Sequence, residues 1–300
     1  MRCTRPSYAL DLGVFDGKHK IKFLGTRVDL SSKQQLEARY GKESILALPC
    51  GQCMSCRINK AKEWAVRCTL ESLEHENNYF ITLTYDDAHL PNDYKLHREH
   101  LKQFFKFLYN RGYHFRYFGC GEYGGKTKRP HYHLIMFGLD LPDLKPLAGN
   151  LCESKLIQEA WPHGFNMIGD VSYESCNYVA QYTIKKVFGD KSDEFLCMSN
   201  RPGIGYNWCR EHIDSLLQYD AVYGKFGNSK VARLPRYFEK VADYLDHEAL
   251  QEMKKRRLSA SDAMTMNEIL VHQFKRVEDL YEYQEQVQID NLKRRKMRGL

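Results

Sequence analysis

The stretch Pro130-His-Tyr-His-Leu-Ile-Met-Phe137 decides the fold that we predict for this chain. A basic loop ends at its proline, and the mostly apolar residues that follow predict a β-strand from His131 to Phe137. Successive side chains of a strand point to opposite faces of the sheet. His131 and His133 should therefore project from one face, while Tyr132 points into the opposite layer.

The sequence on either side of this strand predicts an antiparallel sheet with helices packed on one face. Tyr79-Phe-Ile-Thr-Leu-Thr-Tyr85 is rich in β-branched and aromatic residues, as strands are. Residues 97–110 repeat large apolar side chains at helical spacing. In chain order, we predict strands at 79–85, 115–118, 131–137 and 165–171, and helices at 57–76, 97–110, 154–161 and 175–187. From residue 79 onward the order is β-α-β-β-α-β followed by a helix, which indicates a ferredoxin-like α+β fold.

Changes of pattern along the chain predict three domains. Residues 1–78 form a cysteine-rich N-terminal segment that ends in a helix, and residues 79–190 form the α+β core. Residues 191–300 form a largely helical C-terminal extension. Its charged tail ends in Lys293-Arg-Arg-Lys296.

The overall composition limits the partners of the chain. With 300 residues, 43% of them apolar, the chain can bury one large core or two modest ones. Its net charge of +7 permits a polyanionic partner such as DNA without proving one. No run approaches the roughly 18 apolar residues of a membrane span, and no signal-peptide core follows Met1. We therefore expect an intracellular chain with no membrane partner.

Ten cysteines without an export signal argue against a fold held together by disulfides. Three of them lie in Cys50-Gly-Gln-Cys53-Met-Ser-Cys56, where overlapping Cys-x2-Cys spacing directs successive thiolates at one point. Tetrahedral Zn²⁺ needs a fourth ligand, which Cys3 or Cys68 can supply. The candidate structural zinc site is Cys3, Cys50, Cys53 and Cys56. The alternative is a group of reduced thiols without a metal.

Glu122, His131 and His133 form a candidate metal site in the core. Glu122 follows the strand that should pair with residues 131–137 through a hairpin, so its carboxylate can reach the same ion as the two imidazoles. This set of ligands leaves positions open for water and phosphate oxygens on Mg²⁺ or Mn²⁺. The His-x-His pair alone is weak evidence in a chain with 12 histidines, because two solvated histidines on a strand are ordinary.

Tyr178-Val-Ala-Gln-Tyr182 places two tyrosines on one face of the helix predicted at 175–187. The same spacing recurs elsewhere in the chain, and most such pairs are core or interface aromatics. Beside a metal site, however, a phenol can attack a phosphodiester. The candidate catalytic residues are therefore Tyr178 and Tyr182, and the candidate phosphate-binding residues are Lys185, Lys186 and Arg129.

Four segments, in this order and spacing, resemble the successive motifs of HUH endonucleases. They are Phe80-Ile-Thr-Leu-Thr-Tyr85, Gly121-Glu-Tyr-Gly124, Arg129-Pro-His-Tyr-His-Leu134 and Tyr178-Val-Ala-Gln-Tyr182. Over residues 1–240 the chain is more closely similar to the replication initiators of microviruses, the small single-stranded DNA phages, and in particular of gokushoviruses. The strings Pro49-Cys-Gly-Gln-Cys-Met-Ser-Cys-Arg57 and Arg201-Pro-Gly-Ile-Gly205 fit that family as well.

The resemblance implies rolling-circle DNA replication that begins with a metal-dependent, site-specific nick at an origin. A tyrosine becomes linked to the 5′-phosphate, and the free 3′-hydroxyl primes a polymerase. Two tyrosines, here Tyr178 and Tyr182, allow a second cut and rejoining while the first link persists. The implied partners are single-stranded or supercoiled origin DNA, a host helicase and a host polymerase, in the cytoplasm of a bacterial host cell. One departure is Gln181, where the family often has lysine, and Lys185 or Lys186 is the nearest substitute.

Two other interpretations stay open. Another HUH branch, a relaxase or a transposase, would act on a different origin structure. A non-catalytic nucleic-acid-binding protein would use the same strand order, as RNA-recognition sheets do, with aromatic rings stacked on bases. Tyr117, Phe118 and Tyr123 are placed for such stacking, although sheet and core packing is the more common role of these residue types.

Overall fold

A computed structural model describes residues 3–15, 18–25, 30–41, 44–125, 127–147, 149–185 and 193–297 of the chain. Contacts along the chain divide it into two compact units. One unit comprises residues 1–59 and 259–300, and the other comprises residues 60–258. In the part of the chain that the structure describes, no helix is both long and apolar enough to cross a membrane.

The unit formed by the two ends of the chain contains a small antiparallel sheet. Its strands are β1 (Ser7–Phe15), β2 (Lys18–Gly25) and β3 (Ile45–Leu48), in the sheet order β2-β1-β3. Its helices include α1 (Leu30–Tyr40) and α10 (Val277–Met297). Helices α2 (Met54–Ser72) and α9 (His247–Val271) contribute residues to both units. The sequence pattern predicts none of the elements before residue 54, because short polar and apolar pieces mix there without a sustained period.

The central unit contains the predicted core and its continuation. The elements of the core are β4 (Asn78–Tyr85), α3 (Arg98–Asn110), β5 (Arg116–Tyr123), β6 (Pro130–Phe137), β7 (Leu144–Pro146), β8 (Cys152–Ser154), α4 (Lys155–Ala160), β9 (Gly164–Asp170), α5 (Tyr173–Lys185) and β10 (Phe195–Met198). After them come α6 (Tyr206–Glu211), α7 (Ile213–Tyr219), β11 (Ala221–Phe226), β12 (Ser229–Arg233) and α8 (Arg236–Leu245). Strands β11 and β12 form a separate hairpin, and the later helices pack around a second core that includes Phe238 and Leu250.

The main sheet has the order β10-β5-β6-β4-β9-β8-β7, and all of its neighbouring strands are antiparallel. Its middle four strands, β5-β6-β4-β9, are the second, third, first and fourth strands of the β-α-β-β-α-β unit in chain order. This arrangement is the ferredoxin-like one. The predicted α+β fold class, with a cysteine-rich N-terminal part and helices toward the C-terminus, is confirmed.

The helices lie on both faces of the sheet, so the prediction of helices on one face is wrong. Tyr132, Leu134 and Met136 of β6 pack with the buried residues of α3 and α4. Ile135 and Phe137 point the other way and pack with α5 and with the part of α2 in this unit. The physical reason is that β6 carries buried apolar side chains on both faces, and both must be covered.

Strand β5 continues to Tyr123, past the end that the sequence predicts at Phe118. Glycines within β5 weaken the strand signal in the sequence, but Gly119 has a packing reason to be there. A Cβ at this position would collide with Leu134 Cδ2 on the neighbouring strand. The extension matters because it places Glu122 on the strand itself, directly beside β6.

Candidate active site

The register of the sheet brings the three predicted metal ligands together. Glu122 of β5 lies directly opposite His131 of β6. His133, two residues along β6, lies between Cys120 of β5 and Thr82 of β4. Directly opposed residues in antiparallel strands point to the same face of the sheet. Glu122 and both histidines therefore share the face that α5 partly covers.

One carboxylate oxygen is the centre of this group. Glu122 Oε1 lies 2.9 Å from His131 Nε2 and 2.8 Å from His133 Nε2. Glu122 and His133 are buried and His131 is half-buried. One ligand atom from each of the three residues lies within 4.8 Å of the others, so together they could hold a metal ion.

The hydrogen bond on the far side of His131 fixes which ring nitrogen faces the centre. Its Nδ1 lies 3.1 Å from the carbonyl oxygen of Arg129, and a carbonyl can only accept. Nδ1 therefore donates, and in neutral His131 the Nε2 lone pair points at the Glu122 carboxylate, which is also an acceptor. A cation between these two acceptors removes their repulsion, and a ring held by its other nitrogen is the usual arrangement of a metal-binding histidine.

His133 is held by two residues that the sequence analysis missed. Thr82 Oγ1 lies 3.0 Å from His133 Nδ1, and the Phe80 ring stacks on the imidazole with 5.5 Å between centroids and 6° between planes. Both residues belong to β4, whose side chains at 80, 82 and 84 share the face of the histidines. The register between β4 and β6 identifies them, and no motif in the sequence states that register.

Helix α5 brings the first predicted tyrosine to the same centre. The Tyr178 hydroxyl donates a hydrogen bond to Glu122 Oε1 over 3.1 Å. Its ring meets His133 edge-on, with 5.2 Å between centroids. The side chain is 44% exposed, so a substrate can reach the phenol from solvent. Two imidazoles from β6 and one phenol from α5 thus converge on a single oxygen atom carried by β5.

The other predicted site residues fall at the limits of the described part. Tyr182 and Lys185 belong to α5, but their side chains lie outside the described residues, and Lys186 lies outside them altogether. The Arg129 guanidinium forms an ion pair with the exposed carboxylate of Asp87 and also donates to the carbonyl oxygen of Tyr85. A phosphate at Arg129 would have to compete with Asp87.

The three aromatic residues considered for base stacking have structural contacts instead. Phe118 is fully buried and stacks on Trp64 at 4.8 Å between centroids. Tyr117 stacks on Phe105 at 4.1 Å, and the Tyr123 hydroxyl accepts a hydrogen bond from the backbone amide of Leu96. The core interpretation of these rings is therefore the better one.

A second group of four side chains converges near the N-terminus. Cys3 Sγ lies 3.5 Å from Cys50 Sγ and 3.7 Å from Cys53 Sγ, and the four sulfurs of Cys3, Cys50, Cys53 and Cys56 lie within 4.8 Å of one another. Four sulfurs around one tetrahedral zinc would be about 3.8 Å apart, whereas a disulfide needs about 2.05 Å. Cys68, the alternative fourth ligand, is instead buried among Ala65, Cys176 and other core residues.

The charges around these thiols favour a cation. Burial raises the pKa of Cys3 far above its usual range and raises that of Cys56 to about 11. Burial also opposes ionisation of Cys53, but hydrogen bonds from the backbone amides of Cys56 and Thr4 outweigh it and lower the pKa to about 6. The amides of Gln52 and Cys53 donate to Cys50 Sγ over 3.4 and 3.2 Å. A cation bound by all four sulfurs would let the remaining thiols ionise as well.

Comparison with known proteins places this geometry in a family. Residues 78–187 match the protein-family model for the replication-associated protein ORF2. The chain is 34% identical over 244 residues to the replication-associated protein ORF2 of Spiroplasma virus 4, which covers 71% of this chain and 75% of that protein. It is 34% identical over 212 residues to the replication-associated protein VP4 of Bdellovibrio phage phiMH2K, covering 64% of this chain and 66% of that protein.

A third relative extends the match along the chain. Over 281 residues the chain is 27% identical to the replication-associated protein ORF4 of Chlamydia phage 1, covering 84% of this chain and 68% of that protein. No solved structure matches the chain. The fold, the Glu-His-His group and these relatives define the class as phage replication proteins, as the motifs indicate. The chain belongs to the family of the replication-associated protein ORF2.

Proposed function

We propose that this chain is a metal-dependent HUH endonuclease that initiates rolling-circle replication of phage DNA. The observation that carries the proposal is the convergence on Glu122 Oε1 of two imidazole nitrogens and one phenol, each within 3.1 Å. A binding protein of the RNA-recognition type has no need for such a group on its central strands. Membership of a replication-associated family supports the same choice.

The residues of the centre have distinct roles in the proposed reaction. Glu122, His131 and His133 would hold Mg²⁺ or Mn²⁺, and the bound ion would polarise the scissile phosphate and offset negative charge in the transition state. Thr82 and the Arg129 carbonyl keep the two imidazoles pointed at the ion. Tyr178, already directed at this point, supplies the nucleophile.

The proposed cut exchanges one phosphoester for another. The Tyr178 oxygen bonds to phosphorus as the bond from phosphorus to the 3′-oxygen breaks, and the phenol proton is lost while the 3′-oxygen gains one. The products are a 5′-phosphotyrosine and a free 3′-hydroxyl that primes a polymerase. Because the phosphoester link is retained, rejoining needs no ATP. Tyr182, one helical turn from Tyr178, would make the second cut while the first link persists.

The proposed partners follow from this chemistry. The substrate is single-stranded origin DNA, or supercoiled origin DNA in which negative supercoiling opens a single strand. A host helicase and a host polymerase would extend the primed strand in the cytoplasm of the bacterial host. Lys185, Lys186 and Arg129 are proposed to contact phosphates, with Arg129 exchanging Asp87 for the DNA backbone.

The test is to find the nick and the residue attached to it. The purified chain is incubated with Mn²⁺ or Mg²⁺ and supercoiled plasmids carrying fragments of the genome that encodes it, and denaturant stops the reaction. We expect one nicked sequence, with a peptide from α5 joined to the 5′-phosphate and identified by mass spectrometry. A non-catalytic binding protein would retain DNA without a nick, and a nick with no attached peptide would exclude the covalent mechanism.

We also propose that Cys3, Cys50, Cys53 and Cys56 bind a structural Zn²⁺. The purified chain should contain about one zinc ion per molecule, because four clustered thiolates fill a closed tetrahedral site. Replacing Cys53 and Cys56 by serine should remove the zinc and lower the Tm, as measured by elemental analysis and thermal unfolding. Cys152→Ser, a half-buried cysteine on β8, is the matched control and should keep the metal. A folded native chain free of zinc would contradict the proposal.

A further inference from the structure

Strand β9 exposes two large apolar side chains on the face of the sheet that carries the candidate active site. Phe165 is 63% exposed and Met167 is 38% exposed. Phe165 lies opposite Thr84, which lies opposite His131 on the next strand. Met167 lies opposite Thr82, which lies opposite His133. The two side chains therefore continue the rows of the two histidines across β4 to the neighbouring strand.

The alternate residues of β9 confirm which way these side chains point. Asn166 is buried, and its amide nitrogen donates to Gln158 Oε1 of α4 over 3.0 Å. Ile168 is buried in the core that includes α3 and α4. Because side chains alternate along a strand, Phe165 and Met167 point away from α4, toward the histidine side.

The backbone beneath Phe165 is firmly held. A Cβ on Gly164 would collide with the carbonyl oxygen of Thr84, so only glycine allows β9 to approach β4 this closely. The Gly164 carbonyl accepts a hydrogen bond from Gln158 Nε2 over 2.6 Å, and Trp161 Nε1 donates to the carbonyl oxygen of Thr84 over 3.2 Å. The ring of Phe165 thus stands on a fixed strand, and most of its surface is left open by the described residues.

We propose that Phe165 and Met167 form a base-stacking surface for the single-stranded DNA that flanks the scissile phosphate. Neighbouring strands are about 4.8 Å apart, so Phe165 lies roughly 10 Å from His131, a span of up to about three stacked nucleotides. An aromatic ring and a polarisable thioether accept any base face, so they hold DNA without reading its sequence. This inference rests on the proposed nuclease function, because continuity with that centre identifies DNA as the occupant.

The test measures DNA binding separately from cleavage. Full-length chain with no added Mg²⁺ or Mn²⁺ is titrated into a fluorescent single-stranded oligonucleotide that contains the mapped nick site, and anisotropy gives the Kd. Phe165→Ala should weaken binding about ten-fold, within the range seen when one base-stacking aromatic is removed. Phe165→Trp should restore binding, and Met167→Ala should have a smaller effect. Tyr244→Ala, on a ring of α8 that is 87% exposed, is the matched control and should bind like the native chain.

A second readout locates the contact. Oligonucleotides carrying a photoreactive uracil at single positions should crosslink to the peptide that contains Phe165 at one to three nucleotides from the nick. Unchanged binding by Phe165→Ala, an equal loss in Tyr244→Ala, or crosslinks that avoid β9 would overturn the proposal. A change in sedimentation of Phe165→Ala with unchanged DNA binding would assign the surface to a second copy of the chain, which also overturns it. Absence of nicking in the native chain, with these binding effects intact, would instead count against the nuclease function.

Discussion

A chain carrying His131→Ala and His133→Ala is expected to lose metal-dependent nicking by about a thousand-fold or more. Both Nε2 atoms lie within 2.9 Å of the Glu122 carboxylate, so the double change leaves one of the three proposed ligands. Losing several kcal/mol of transition-state stabilisation corresponds to at least that factor in rate. Binding of single-stranded DNA should change little, because neither histidine lies on the proposed stacking surface. The rate of nicking and the Kd of the metal-free chain are the two measurements.

Graded variants separate the loss of a ligand from the loss of its support. Glu122→Gln keeps the shape of the side chain but removes the negative charge, and should abolish nicking as the histidine changes do. Thr82→Val removes only the hydroxyl that holds His133 Nδ1 at 3.0 Å. It should weaken the apparent affinity for Mn²⁺ roughly 10–100-fold, so that excess metal restores part of the rate.

His114→Ala is the matched control for these changes, since His114 is exposed in the loop before β5. It should nick at the native rate. Native rates in the double histidine variant would remove these residues from the metal site. A loss of DNA binding equal to the loss of nicking would show that they serve the fold and not the chemistry.

The core of the fold was accessible from sequence because its elements have simple periods. The apolar side chains of α3 recur at helical spacing, and the strand 79–85 is dense in β-branched and aromatic residues. Strand β10 and the hairpin β11-β12 were not predicted, because short strands beyond residue 190 carry little pattern of their own. Pairing with β5, a tertiary contact, makes β10 part of the main sheet.

The site was accessible only as far as residue types can be read locally. Alternation along one strand predicts that His131 and His133 share a face, and the hairpin predicts that Glu122 reaches them. The contacts of Thr82 and Phe80 with His133 depend on the register between β4 and β6, which lie far apart in sequence. The exposure of Phe165 depends on how the described helices distribute over the sheet, which no local pattern states.

Changing both tyrosines, Tyr178→Phe and Tyr182→Phe, is expected to abolish the covalent protein–DNA adduct, with a loss of about 10⁴-fold or more. At position 178, phenylalanine keeps the ring that meets His133 edge-on and removes only the hydroxyl that contacts Glu122. DNA binding and thermal stability should therefore stay close to native. Adduct formation on a labelled single-stranded oligonucleotide, resolved on a denaturing gel, gives the measurement.

The single variants test whether the two tyrosines act in turn. If each attacks once per cycle, Tyr178→Phe and Tyr182→Phe should each retain some cleavage but fail to transfer the bound strand to a second oligonucleotide. The pair Tyr219 and Tyr223 has the same spacing in the sequence and is exposed, so Tyr219→Phe with Tyr223→Phe is the matched control. That variant should cleave and transfer normally, because neither hydroxyl lies at the Glu122 centre. Full strand transfer by either active-site single variant would reduce the mechanism to one nucleophile, and an adduct in the double variant would exclude both.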